Sequence, residues 1–313
     1  MDRLRTLAET TGSFIRADAL DCGYDDKAIA RAVKARRWTR IRTGAYTFSD
    51  LWAQADELER HRATARAVMK RLGPSVALSH ISAVIDHGLP AWSADLSLVH
   101  VTRLDGGAGR TEAGVVHHEG LCLKEDVIER DGCLVMKPAR AALEAGALLT
   151  AEAAIALFDA GLHAGRFARG ELEAGFCLMQ SWPGFRKLQI PVRFADGRAE
   201  SVGESRCRYL CHVHGLPAPE LQFTVRDRDG RVIGVTDLAW PEHALLGEFD
   251  GKVKYGRLLK PGEDPGDAVF REKRREDRLR ERLMWSMVRI VWADLYRGTE
   301  TAARIRRLMR VAA

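Results

Sequence analysis

The chain has 313 residues, 46% hydrophobic and 29% charged, with a formal net charge of +6 and a pI near 9.1. Such a balance excludes a disordered or fibrous chain, no apolar run approaches the ~18 residues that cross a bilayer, and the charged opening MDRLRTLAETTG lacks the apolar core of a secretory leader, so a cytosolic protein of two or three domains is expected. The excess of basic residues suits an anionic partner and says nothing about fold.

Residues 1–50 read as three short helices and a hairpin. MDRLRTLAETTG is helical and closes on Gly12. SFIRADALDCG starts at Ser13 and stops at Gly23. YDDKAIARAVKARR follows, with Asp25 or Asp26 as N-cap and Ile29 and Val33 on one face. WTRIRTGAYTF then places Trp38, Ile41, Tyr46 and Phe48 in short strands about a turn at Thr43-Gly44. This is the order of a winged helix-turn-helix. Its third helix points Lys27, Arg31 and Lys34 away from the apolar face, toward a groove of double-stranded DNA. Its hairpin carries Arg40 and Arg42 to flanking phosphates, which set register and affinity rather than sequence preference.

Residues 51–180 read as a middle α/β segment. LWAQADELERHRATARAVMKRLG predicts one long amphipathic helix ending at Gly73. ALSHISAVIDHGLP predicts a short helix after Ser79, stopped by Gly88 and Pro90. DLSLVHVTR and GVVHHEG alternate as strands do. EDVIERDGCLVMKPARAALEAGALL gives strand, turn, strand and a helix opening near Pro138, and two Ala-rich helices follow. No reaction centre is legible there, and His80, His87, His117 and His118 read as surface or packed side chains. The cysteines (Cys22, Cys122, Cys133, Cys177, Cys207, Cys211) form no CxxC and are expected to be reduced and buried rather than bridged. Cys207, Cys211 and His214 share one side of a helix, but zinc needs ligands from a second element.

Residues 181–313 read as helix, three strands, helix, strand and a terminal helix. RAESVGESRCRYLCHVHG closes on Gly215, LQFTVRDRDGRVIGVTDLAW is a hairpin turned at Asp229-Gly230, and LLGEFDGKVKY is the third strand. DAVFREKRREDRLRERLMWSMVRI predicts a long basic helix, IVWADL a short strand, and ETAARIRRLMRV a final helix. Arg274, Arg275, Arg278 and Arg282 suit either a solvated face or a DNA channel; Trp240, Trp285, Trp292 and Tyr255 suit the core before base stacking.

The third strand holds the densest chemistry. Alternation puts Glu248, Asp250 and Lys252 on one face with Leu246, and Phe249 and Val253 on the other. Asp237 comes close if the two strands pair, and Glu204 leans in from the preceding helix. Close carboxylates are costly to bury without a cation. A hard divalent ion such as Mg²⁺ compensates them and lowers the pKa of its bound water, while Lys252 orients that water or neutralises phosphate charge. Two other readings stand beside this one. Asp250-Gly251 is also a strong turn pair, with the acids exposed at a strand end, and a nuclease frame can persist without its chemistry.

These residues resemble the PD-(D/E)XK, or restriction-endonuclease-like, superfamily, and within it the very-short-patch-repair-like nuclease domains. The matching positions are Glu204, Asp237 and Glu248-Phe249-Asp250-Gly251-Lys252. The resemblance implies Asp237 and Glu248 as metal ligands and Lys252 as a catalytic assistant. The family's spacing is met strictly only by Asp250-Gly251-Lys252, so either Glu248 or Asp250 is the third-strand ligand. Residues 1–180, through FIRADALDCGYDDKAIARAVKARRWTRIRTGAYTF and ALSHISAVIDHGLP, resemble AbiEi-type antitoxins of type IV toxin–antitoxin systems. That resemblance implies operator binding, autorepression and a nucleotidyltransferase-like toxin as partner. The expected architecture is thus α+β multidomain: a winged helix-turn-helix over 1–50, an α/β segment over 51–180 and a restriction-endonuclease-like α/β domain over 181–313.

Overall fold

The computed structural model describes residues 3–226, 229–251 and 285–311. The architecture is mixed, with helices around three separate sheets, as expected of an α+β multidomain chain. The chain divides into two compact units, Met1–Leu157 with Gly165–Arg193, and Phe158–Ala164 with Phe194–Ala313. Among the described residues no helix is long and apolar enough to cross a membrane.

The first unit opens with α1 (Arg3–Thr11), β1 (Phe14–Ile15), α2 (Arg16–Asp21), α3 (Asp26–Lys34), β2 (Trp38–Arg42) and β3 (Ala45–Phe48). Asp25 starts α3 by accepting the Ala28 N–H at 2.6 Å. Ile29 and Ala32 face inward, where Leu4, Phe14, Ala19 and Trp38 form a small core. Phe14 meets Trp38 edge-on at 4.8 Å. The strands form one antiparallel sheet in the order β1-β3-β2. Ser13 does not begin a helix: its hydroxyl donates to Ala63 O at 2.9 Å, and Phe14 and Ile15 pair with β3 first.

The single helix expected after Phe48 is two, α4 (Ser49–Gln54) and α5 (Glu57–Leu72). Asp56 and Glu59 form a capping box, with both bonds at 2.8 Å, and a capping box begins a helix. Then come β4 (Val76–Leu78), α6 (His80–Asp86), β5 (Val99–Arg103), β6 (Arg110–Glu112), β7 (Val115–His118), β8 (Val127–Arg130), β9 (Cys133–Met136) and α7 (Pro138–Leu148). These strands make a mixed sheet in the order β6-β7-β5-β4-β9-β8. The histidines pack as expected. His87 Nε2 is 2.8 Å from Met136 O, and the rings of His80 and His118 stack at 3.6 Å. Helices α8 (Ala151–His163), α9 (Arg169–Met179) and α10 (Gln189–Phe194) complete the segment.

The second unit is built on α11 (Val202–Val213), β10 (Glu220–Arg226), β11 (Val232–Trp240), β12 (Leu245–Asp250), β13 (Ser286–Val291), α12 (Trp292–Leu295) and α13 (Gly298–Val311). The sheet order is β10-β11-β12-β13. The first three strands run antiparallel, and β13 runs parallel to β12. Ser286–Ile290, expected to end a long helix, is therefore strand, and Trp292–Leu295, expected to be strand, is helix. A short apolar run fits either state until its pairing is known. One sheet face, with Leu238, Leu245, Phe249, Val288 and Ile290, packs on Cys207, Leu210 and Cys211 of α11 and Ala302 and Ile305 of α13. Val225, Ala239, Leu246 and Met287 form a smaller cluster on the other face.

Gly203 lets α11 approach β12, because a Cβ there would overlap the Phe249 ring. Gly203→Ala should destabilise the protein by about 1–3 kcal/mol through overpacking, despite the ~1 kcal/mol that Ala gains in helix propensity. Urea unfolding checks this; a variant as stable as the parent would mean the contact is not tight.

Candidate nucleic-acid interface and acidic site

Helix α3 turns its polar side outward. Lys27, Arg31 and Lys34 are exposed, as are Arg36, Arg37 and Arg40 just beyond. No acid among the described residues pairs with Lys27, Arg31, Lys34 or Arg40, whereas Asp26 is held by Arg16 at 2.6 Å. Arg42 is placed differently. The register of β2 on β3 shifts between Arg40 and Arg42, as a bulge does. Arg42 then donates from Nη2 to Ala113 O at 2.6 Å. Its environment, by burial first and the charge of Arg71 second, lowers its pKa. Arg42 is therefore tied to the β6–β7 turn through one guanidinium nitrogen, unlike the exposed Arg40.

The acidic site is assembled at the start of α11. The Ser201 hydroxyl donates to Glu204 Oε1 at 2.7 Å and also accepts the Glu204 N–H. Glu204 Oε2 accepts from the Glu200 N–H and from Gln222 Nε2, both at 3.0 Å. With 2% exposure, burial pushes the Glu204 carboxyl above its ordinary pKa, and the charge of Asp237 pushes it the same way. Gln222 reaches Glu204 from a backbone with φ of 50°. A glutamine within LQFTV carries no sequence signal of such a role.

Asp237 stands where β11 and β12 part. Their pairing runs from Trp240↔Leu245 to Leu238↔Gly247 and ends. At the next step Asp237 Oδ2 accepts the Phe249 N–H at 2.8 Å, in place of a backbone carbonyl. Glu248 and Asp250 are half-buried on the face of Leu246, while Phe249 points to the helices. Across the parallel pair Glu248 is opposite Arg289, whose Nη1 is 3.9 Å from Asp250 Oδ2. Arg289 was not singled out in the sequence, because its segment read as helix.

The structure thus joins Gln222 to Glu204, exposes Glu204 to the charge of Asp237, and sets Glu248, Asp250 and Arg289 along the face of Leu246. Lys252, Tyr255, Arg274, Arg275, Arg278 and Arg282 lie outside the described residues. Among the described residues no three histidine, cysteine or carboxylate side chains converge on a point that a metal ion could occupy. Both Glu204 oxygens already accept hydrogen bonds, and so does one Asp237 oxygen. The donors present do not fit a preassembled Mg²⁺ centre at Asp237, Glu248 and Asp250, and no chemical step is assigned to one. Cys207 and Cys211 lie in the core, where burial pushes the Cys211 thiol up to about 12. Trp240 is also core, its Nε1–H donating to Pro217 O at 2.8 Å. Trp292 packs edge-on against Phe249 at 5.1 Å.

No family model matches the chain. It is similar to the uncharacterized proteins MT2308 and Rv2248 from two strains of Mycobacterium tuberculosis, each 36% identical over 177 residues. That match covers 56% of this chain and 62% of each relative, so the chain spans less than two thirds of their length.

A carboxyl whose pKa is raised by folding binds more protons in the folded state. Its contribution to stability is full below the unfolded pKa and is lost as pH rises through the folded one. The stability of the parent relative to Glu204→Gln should therefore fall as pH rises from the ordinary carboxylate range. The fall should shrink in an Asp237→Asn background. Denaturant titrations across pH read this directly, and a pH-independent difference would contradict the placement of Glu204 beside Asp237.

Proposed function

We propose that this chain is a double-stranded-DNA-binding protein, with a winged helix-turn-helix at its N-terminus and a restriction-endonuclease-like frame in its second unit. One observation carries the reading: α3 exposes Lys27, Arg31 and Lys34, which have no acidic partner among the described residues, beside a hairpin that exposes Arg40. The order of helix, strand, two helices and hairpin, with β1 added to the hairpin, supports the winged-helix assignment. The helix, antiparallel strands and parallel fourth strand of the second unit support the nuclease-like assignment, with Glu204, Asp237 and Glu248 at the resembling positions.

Binding without cleavage is supported by the hydrogen bonds that already occupy both Glu204 oxygens and one Asp237 oxygen. The role is then that of an AbiEi-type repressor, paired with a nucleotidyltransferase-like toxin as that resemblance implies. Mg²⁺-dependent DNA cleavage is the second reading. It is favoured by the place of Asp237 at the parting of β11 and β12, where its charge acts on the buried Glu204, in keeping with the acids of that superfamily.

DNA affinity should fall steeply with salt, and removal of Lys27, Arg31 and Lys34 together should flatten the log–log slope by about 0.9 for each cation that contacts phosphate. Fluorescence anisotropy across a salt series measures it; an unchanged slope would remove α3 from the interface. Supercoiled plasmid with Mg²⁺ or Mn²⁺ separates the two readings. The repressor reading expects no nicking, whereas nicking that is lost in Asp237→Ala would establish the nuclease.

A further inference from the structure

A cleft of about 380 Å³ lies in the first unit between the β2–β3 hairpin, the last turn of α5 and strands β6 and β7. Its size falls within the ~300–1,000 Å³ typical of small-molecule sites. The floor is apolar, with Ile15, Ala45, Ala67, Val68, Leu72 and Val115. Four arginines, Arg16, Arg42, Arg71 and Arg110, stand around it with a single acid, Glu112.

Two of these cations are already neutralised. Arg16 is bound by Asp26 through two bonds of 2.6 and 2.7 Å, and Arg110 reaches Glu112 at 3.2 Å. Arg42 and Arg71 have no acid partner among the described residues, and Arg42 feels the charge of Arg71. Arg42 is fixed by its bond to Ala113 O and by packing over Gly114 in the β6–β7 turn. Only Nη2 is used in that bond, and Arg42 also lines the cleft. Like charges held at an apolar surface are costly unless an anion lies between them. Planar guanidiniums match phosphate oxygens in pairs.

We propose that this cleft binds a mononucleotide, with its phosphate between Arg42 and Arg71 and its base on the apolar floor. A duplex cannot enter a concavity of this size, and phosphate alone would leave the floor uncovered. The proposal does not depend on DNA binding by α3.

Isothermal titration of the full chain with adenosine monophosphate and guanosine monophosphate tests it, beside adenosine, guanosine and inorganic phosphate at equal ionic strength. Saturable binding of at least one nucleotide is expected, weakened about tenfold or more in Arg71→Gln, because a charge-assisted phosphate contact is lost. Arg71→Lys, which keeps the charge but not the planar fork, should fall between. Arg71 is exposed, and an unchanged melting temperature of the free variant confirms its fold. If Arg71→Gln does not fold, Arg42→Gln, which removes the other guanidinium of the proposed phosphate seat, reads the same loss. Absence of saturable nucleotide binding overturns the proposal. So does equal binding by the folded arginine variants, or binding of a nucleoside or of inorganic phosphate as tight as that of the nucleotides.

Discussion

The second unit depends on how α11 is held against its sheet. Arg208 donates to Asp159 Oδ2 and to Phe194 O, both at 2.7 Å, with both side chains of the pair nearly out of water. Burial pushes the Asp159 carboxyl up to about 6 even though Arg208 opposes the shift. The pair is thus better understood as fixing geometry than as a large source of stability. One turn earlier, Gly203 leaves room for the Phe249 ring. Between these two contacts the helix has little freedom to slide, and Glu204 is delivered to the strands at the level of Asp237.

That delivery changes how the acids coexist. Neighbouring carboxylates need positive charge or hydrogen-bond donors, and a metal ion is only one supplier. Here Glu204 takes a backbone amide, a hydroxyl and a side-chain amide, Asp237 takes the Phe249 amide, and Asp250 lies near Arg289. The same residues that resemble a nuclease centre therefore also serve as helix cap and strand-end partner.

In the first unit, two arginines separated by one residue meet different fates. Arg40 stays on the exposed side of β2, while the register shift before Arg42 turns it to the β6–β7 turn. Nearby, His100 on β5 and His118 on β7 approach through Nδ1 and Nε2 at 2.9 Å, and His80 stacks on His118. Burial pushes His100 and His118 down to about 4, so the rings pack as neutral groups, and one must donate to the other. No spacing rule would have grouped these three, which come from a helix and two strands.

The sequence by itself determined the elements whose signals are local. The Asp25-Asp26 pair marked the start of α3, though not which of them caps it, Gly12 and Gly23 closed helices in the left-handed region, Asp229-Gly230 turned the hairpin, and Pro138 opened α7. It also determined the face of β12, since alternation needs only the strand itself. Only the tertiary structure decided that Ser286–Val291 is a parallel strand, that Gln222 serves Glu204, and that Arg42 leaves the hairpin's exposed side. The reason is range. Caps, turns and periodicity act over a few residues, whereas a parallel pairing or a buried hydrogen bond depends on a partner tens of residues away, placed by packing.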